Sequence, residues 1–196
     1  MPGLVLASGS RARRQMLEAA GVPFEVRPTD VDEDAIRSTL ADAAPEHVAA
    51  VLARAKAEAA SRLAPRALVI GADQVLALGR TIYTKAPDIA AARAALRSLA
   101  GRRHHLHSAV SIAVAGREVW QHIDTAALAM RGFSDAFLDA YLARAGDRAC
   151  ASVGAYELEG LGIQLFERIE GDYFTILGMP LLPLLAELRL RGVIAD

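Results

Sequence analysis

The sequence predicts an α/β domain: a central mixed β-sheet flanked by helices. Three observations carry that reading. Short apolar runs of strand character alternate along the chain with segments whose apolar residues recur at helical spacing. Hydrophobic residues fill 53% of the 196 positions, enough to build a core and too many for a disordered chain. The length suits one domain, at roughly 100–200 residues each, and no internal repeat or low-complexity linker interrupts residues 1–196.

The elements follow in order. Residues 4–7 form a short apolar strand that runs into Ser8-Gly9-Ser10. Residues 11–20 read as a helix closed by Gly21, with Pro23 just beyond it. Pro45–Leu63 is a clear helix, with Val48, Leu52, Ala55, Ala59 and Leu63 on one stripe. The run "ALVIGADQVLALG" is an apolar strand interrupted at Gly71-Ala72-Asp73, and Gly79-Arg80 is a candidate hairpin turn. Residues 88–99 form a second helix, with Pro87 suited to its first position and Asp88 to its first turn. Residues 104–115 and 118–130 are paired strands around Gly116, and Ser134 caps a helix over 134–144. Residues 146–162 are glycine-rich and irregular, "IQLFERIEGDYFTIL" predicts two more strands, and Pro180 opens a final helix.

Composition narrows the function. Lys and Arg (22) nearly balance Asp and Glu (23), and a net charge of −1 with only 5% aromatic residues argues against a nucleic-acid partner bound through a broad basic face. An anionic ligand must therefore be held by a local cluster of charge. No apolar stretch approaches the ~18 residues of a membrane span, so no membrane partner is expected. The first apolar run is short and is followed, not preceded, by basic residues, unlike a signal peptide. A single cysteine, Cys150, allows no intrachain disulfide, and a cytoplasmic location is expected.

Several stretches can carry chemistry. A strand turning through Ser8-Gly9-Ser10 into a helix presents backbone N–H groups and a helix dipole, with Arg11, Arg13 and Arg14 close by, which suits a phosphate. Gly9 lets the backbone approach such a ligand. Equally, Ser10 serves as a plain helix cap beside solvated arginines. This stretch lacks the P-loop pattern. Asp30, Asp32, Glu33 and Asp34 crowd into "TDVDEDAIRS". They either favour a helix N-terminus or contribute to a hard-cation site, since Mg²⁺ takes one or two carboxylates plus phosphates and water. Lys56 lies beside the apolar stripe of its helix, where it either snorkels or points to a ligand. Asp73 follows a buried strand run, as a paired core group or as a ligand-facing group at a strand end. Lys85 precedes a helix and is otherwise an ordinary loop lysine. His105 and His107 share a strand face, but no cysteine is near and no third zinc ligand is evident.

Taken together, "LASGSRARRQML", "DVDE", "ARAKAEA", "GADQV", "KAPD", "GRRHHLHSAV" and "GLGIQLFERIEGDYFTILGMPL" resemble the Maf family of nucleoside triphosphate pyrophosphatases, in order and nearly from end to end. The resemblance implies an elongated Maf/ITPase-like α/β fold, with a mixed sheet and a cleft between two lobes. It implies hydrolysis of a nucleoside triphosphate to a monophosphate and pyrophosphate, with Mg²⁺ or Mn²⁺ as cofactor. Carried over, Ser8, Gly9, Ser10, Arg13 and Gln74 bind substrate, and Asp73 is the proton acceptor. Lys56 and Lys85 face the phosphates, Glu33 is the acidic residue of the second motif, and Asp73 and Glu33 are the metal-binding carboxylates. The resemblance allows a homodimer.

The departures from the family pattern are informative. Arg11 and Ala12 replace the usual proline and arginine, and Lys85-Ala86-Pro87 replaces a lysine-proline pair. The "KAGAY" of the dTTP/UTP-hydrolysing branch becomes "SVGAY", which puts Ser152 where that branch has lysine, and Gln74 stands where it has threonine. Both differences, with "EGLGIQLFER", resemble the branch that hydrolyses 7-methyl-GTP. The alternatives are a pyrimidine triphosphate pyrophosphatase and a weakly catalytic nucleotide-binding regulator of cell division. A cationic methylated guanine favours an aromatic face; Tyr83, Trp120, Tyr156 and Tyr173 are available, and the sequence places none of them there.

Overall fold

The computed structural model describes residues 3–195, so positions 1, 2 and 196 of the expected 1–196 domain lie outside the described residues. The strands are β1 (Leu4–Leu6), β2 (Glu25–Val26), β3 (Leu68–Leu78), β4 (Thr81–Tyr83), β5 (Arg103–Val114), β6 (Arg117–Met130) and β7 (Phe166–Glu170). The α-helices are α1 (Arg11–Ala19), α2 (Glu33–Thr39), α3 (Pro45–Leu63), α4 (Ile89–Leu99), α5 (Asp135–Ala145), α6 (Tyr173–Ile176) and α7 (Leu181–Leu190). Short 3₁₀ turns cover Gly146–Cys150 and Leu161–Leu165 in the irregular stretch. The strand order is β2-β1-β3-β5-β6-β7, with β4 on β3. The sheet is mixed as expected: β1 runs parallel to β2 and β3, while β3–β4 and β6–β7 are antiparallel. No helix among the described residues is long and apolar enough to cross a membrane.

The chain divides into two compact units. The first takes in Met1–Gln74, His107–Asp124 and Asp172–Asp196, and the second Val75–Leu106 and Thr125–Gly171. In the first, strand alternation sorts the core into two layers. Leu4 and Leu6 of β1 and Leu68, Ile70 and Ala72 of β3 join Met16 and Leu17 of α1 and Leu184 and Leu188 of α7. The alternate residues Val5, Ala7 and Val69 meet Ala60 of α3 on the opposite face, as a period of two requires. In the second unit, α4 and α5 pack together, burying Leu96, Leu99, Leu138 and Leu142. Arg93 ties the pair by donating to Asp139 at 2.8 Å and Asp135 at 3.1 Å.

The structure corrects five local expectations. First, β3 runs without interruption through Gly71-Ala72-Asp73. Second, the buried residues of α3 are Pro45, Val48, Ala49, Ala50, Leu52, Ala53, Ala57, Ala60 and Ser61, while Leu63 is 83% exposed. The buried stripe is thus rotated toward Ala53 and Ala57, because small alanines let the helix approach the sheet. Third, Asp88 is the cap of α4 rather than a first-turn residue, its Oδ1 accepting from the Ala91 N–H at 2.7 Å, and Pro87 precedes that cap instead of taking the first helical position. Fourth, among the described residues only one strand follows the irregular stretch: Tyr173–Ile176 is helical, started by Asp172, whose Oδ1 accepts the Thr175 N–H at 3.0 Å. Fifth, Pro180 is the cap before α7, outside the helix itself. Ser134 caps α5 as predicted.

Candidate active site

Asp73 is the sixth residue of the eleven-residue β3, not a strand-end group. By alternation it faces the same side as Val69 and Gly71, toward α3. Gly71 is what brings helix and strand together. A Cβ there would sit inside the contact distance of the Ala53 carbonyl and 2.5 Å from the Ala57 nitrogen, so a side chain at this position would force α3 off the sheet. With the backbones this close, Lys56 of α3 reaches Asp73. Its Nζ donates to Asp73 Oδ1 at 2.6 Å and pairs with Glu33 Oε1 at 2.7 Å. The lysine side chain is only 12% exposed, so it is committed to the two carboxylates rather than snorkelling to water.

Glu33 is the first residue of α2, placed there by the Asp32 cap, whose Oδ1 accepts from the Ala35 N–H at 2.9 Å. Its second oxygen accepts from Arg37 Nη2 at 2.7 Å, across one helical turn. Burial pushes the Glu33 carboxyl upward, but Lys56 and Arg37 outweigh it and hold the group below the usual carboxylate range. Of the four clustered acids, Glu33 alone joins the site. Asp32 is a cap, Asp34 pairs with Arg37 from an exposed position, and Asp30 is exposed.

Asp73 Oδ2 is buried and has no hydrogen-bond partner among the described residues. Leaving a buried carboxylate oxygen unsatisfied is costly unless a ligand completes it. That orphaned atom suits a divalent cation of the Mg²⁺ type, which is commonly held by one or two carboxylates together with phosphates and water. Among the described residues no group of three His, Cys, Asp or Glu side chains is arranged to hold a metal.

The start of the chain lies on the same unit. Ser10 caps α1, accepting the Arg13 N–H at 3.4 Å, and Ser8 Oγ accepts the Ser10 N–H at 3.2 Å. Arg13 turns inward. It donates to Ser8 Oγ at 3.2 Å, to the Ala72 carbonyl at 2.8 Å and to the Gly178 carbonyl at 3.0 Å. Burial presses its pKa down, opposed by the fields of Asp73 and Glu33. Arg13 therefore staples the first loop to the strand position next to Asp73, with Nη2 making no hydrogen bond to the described residues. Gly9 is exposed, and a Cβ there would meet nothing. Gln74 is fixed through Nε2, which donates to Ser108 Oγ at 3.0 Å and to the Thr175 and Ile176 carbonyls at 3.0 and 2.9 Å.

Lys85 belongs to the second unit. Its backbone bridges Val153, its side chain is exposed, and it has no ion pair among the described residues. Ser152 donates its hydroxyl to the Tyr156 carbonyl at 2.6 Å. Sequence reasoning missed Arg37, Gly71, Ser108 and Thr175. The first had a readable signal, a basic residue one turn after Glu33; the others depend on contacts between distant segments.

A family model described as "Maf-like protein" matches residues 3–191. The chain is 50% identical over 195 residues to the 7-methyl-GTP pyrophosphatase of Rhizobium etli, covering 98% of each chain. It is 51% identical over 195 residues to the 7-methyl-GTP pyrophosphatase of Rhizobium meliloti, again covering 98% of each. A nucleoside triphosphate pyrophosphatase of Maricaulis maris is 50% identical over 194 residues, covering 99% of each. Every segment that builds the site falls inside these matches, and the chain belongs to the Maf family.

Proposed function

We propose that the protein is a nucleoside triphosphate pyrophosphatase that hydrolyses 7-methyl-GTP to the monophosphate and pyrophosphate, acting as one pyrophosphatase domain. The observation that carries the chemistry is the asymmetric environment of Asp73: Oδ1 is held by Lys56, while buried Oδ2 has no partner. Oδ2 orients the attacking water and takes its proton as the water attacks the α-phosphorus and pyrophosphate leaves. Lys56 stops the carboxylate from rotating, and Glu33 and Arg37 in turn fix Lys56. Asp73, with Glu33 in the same cluster, would hold Mg²⁺ or Mn²⁺, which would supply charge neutralisation at the phosphoryl oxygens. Both Glu33 oxygens are already engaged by cations, so its main work is to hold Lys56. The N-terminal N–H groups of α1 and the Arg13 Nη2 group hold the polyphosphate.

The substrate assignment is supported by the relatives named 7-methyl-GTP pyrophosphatase and by Gln74 and Ser152, which depart from the dTTP/UTP pattern. The resemblance also allows a homodimer, which sedimentation of the purified protein tests. Pyrophosphate release is to be measured across 7-methyl-GTP, UTP, dTTP, CTP and the common purine triphosphates, with Mg²⁺ or Mn²⁺ and with EDTA. The expected result is metal-dependent turnover with the highest kcat/KM for 7-methyl-GTP. A preference for dTTP or UTP would move the substrate to the pyrimidine branch. Binding of nucleotides without release of pyrophosphate would replace the enzyme with a regulator.

A further inference from the structure

Gln74 follows Asp73 and, by alternation, faces the other side of β3. Its side-chain amide has one workable orientation. Nε2 lies 3.0 Å from Ser108 Oγ, 3.0 Å from the Thr175 carbonyl and 2.9 Å from the Ile176 carbonyl. Carbonyls only accept, and the single Ser108 hydroxyl proton is already donated to the Thr175 carbonyl at 2.7 Å. Three acceptors therefore converge on one point, and only the NH₂ end of the amide satisfies them. A flipped amide would set Oε1 against two carbonyls. The acceptors are themselves fixed. Thr175 and Ile176 end α6, a single turn whose last carbonyls need partners outside it. Thr175 is buried; its N–H donates to Asp172 Oδ1 at 3.0 Å and its hydroxyl to Asp124 Oδ2 at 2.8 Å. Ser108 is buried on β5.

With Nε2 committed, Oε1 is turned the other way. A Cβ at Gly178 would stand 3.6 Å from both Gln74 Oε1 and Arg13 Nη2, so these two atoms share the space that a side chain would fill. Beside the Arg13 donor, Oε1 is an acceptor and nothing else. Every group in this network belongs to the first compact unit.

We propose that Ser108 is a positioning residue for Gln74: with the two α6 carbonyls it holds the amide in one orientation, so that Oε1 meets a hydrogen-bond donor of the nucleoside, a hydroxyl or an N–H, and not a phosphate oxygen. This rests on the reading of Gln74 as a substrate-binding group. Ser108 is buried and acts only through Gln74.

Two measurements on the full chain test it. In nitrogen-15-labelled protein without nucleotide, the Gln74 side-chain amide protons, assigned by their loss in Gln74→Met, are expected to exchange slowly with solvent. In Ser108→Ala they are expected to exchange about 5-fold faster, the size of one lost hydrogen bond. Rapid exchange in the unsubstituted protein, or no change in Ser108→Ala, would overturn the inference whatever the activity. The second measurement is metal-dependent pyrophosphate release from 7-methyl-GTP. Gln74→Met is expected to raise KM and to leave inhibition by added pyrophosphate unchanged. Ser108→Ala is expected to raise KM about 5-fold, with kcat changed less, and to add nothing in Gln74→Met. An equal effect of Ser108→Ala with and without Gln74 would overturn the inference, as would weaker inhibition by pyrophosphate in Gln74→Met. The 2′-deoxy and 3′-deoxy analogues of 7-methyl-GTP locate the donor. An analogue whose KM rises in the unsubstituted protein but not in Gln74→Met puts it on the ribose, and normal KM values for both put it on the base; either supports the inference. A Gln74→Met enzyme with an unchanged KM would overturn the reading of Gln74, and the inference with it, even where the amide protons are protected. Melting curves of each variant separate these outcomes from misfolding.

Discussion

At the scale of single residues, the two oxygens of Asp73 differ in a way that assigns work to each. Oδ1 is anchored by Lys56 at 2.6 Å, and Oδ2 is buried without a partner. Asp73→Asn keeps the shape and removes the charge and the proton acceptor. We expect kcat for pyrophosphate release to fall by about 10²–10³-fold, the usual cost of one preorganised group, with an unchanged circular dichroism spectrum. Glu33 gives a second, independent expectation. Its carboxyl lies below the ordinary 4.5 because Lys56 and Arg37 together overcome the upward push of burial. The folded chain therefore keeps Glu33 ionised at a pH where the unfolded chain has begun to bind a proton. The stability it contributes is complete above the unfolded value and is lost as pH falls through the folded one. Denaturant unfolding from pH 7 down to pH 3 is expected to show a shallower acid loss in Glu33→Gln than in the unsubstituted protein. An identical slope would mean that the ion pairs do not hold in solution.

At the scale of elements, the decisive contact is α3 on β3. A methyl at Gly71 would collide with the backbone at Ala53 and Ala57, which cannot give way as a side-chain tip can. Gly71→Ala is therefore expected to destabilise by about 1–3 kcal/mol in urea unfolding and to lower turnover, because α3 carries Lys56. A midpoint equal to that of the unsubstituted protein would show that the close approach is not required. The same contact explains what could be read from sequence. Pro45–Leu63 was legible end to end, because a proline at the first position and continuous alanine and leucine periodicity are local signals. The continuity of β3 was not, since Gly71 reads locally as a breaker, while its purpose lies in a helix that precedes it in the chain. Lys56 and Asp73 could be singled out as odd residues in apolar runs, but their contact needed the register of α3 on the strand. Residues Tyr173–Ile176 read as strand because "YFTI" is aromatic and β-branched; the Asp172 cap decides otherwise. The strand β2, two exposed residues long, offers no apolar pattern at all.

At the scale of the whole molecule, a net charge of −1 coexists with a local concentration of cations around Asp73: Lys56, Arg37 and Arg13. Lys56 is matched there by the carboxylates of Asp73 and Glu33, and Arg37 by those of Glu33 and Asp34. The order of the motifs along the chain was legible and identified the family, since it survives substitution at single positions such as Arg11 and Ala12. The use of each group was less so, because hydrogen bonds such as those of Arg13 to Ala72 and Gly178 join segments far apart in sequence. In the proposed reaction, water held by Asp73 attacks the α-phosphorus. Hydrolysis of 7-methyl-GTP in oxygen-18 water, with mass spectrometry of both products, tests it most directly. One heavy oxygen is expected in the nucleoside monophosphate and none in pyrophosphate; label in the pyrophosphate, or release of orthophosphate in its place, would contradict that reaction.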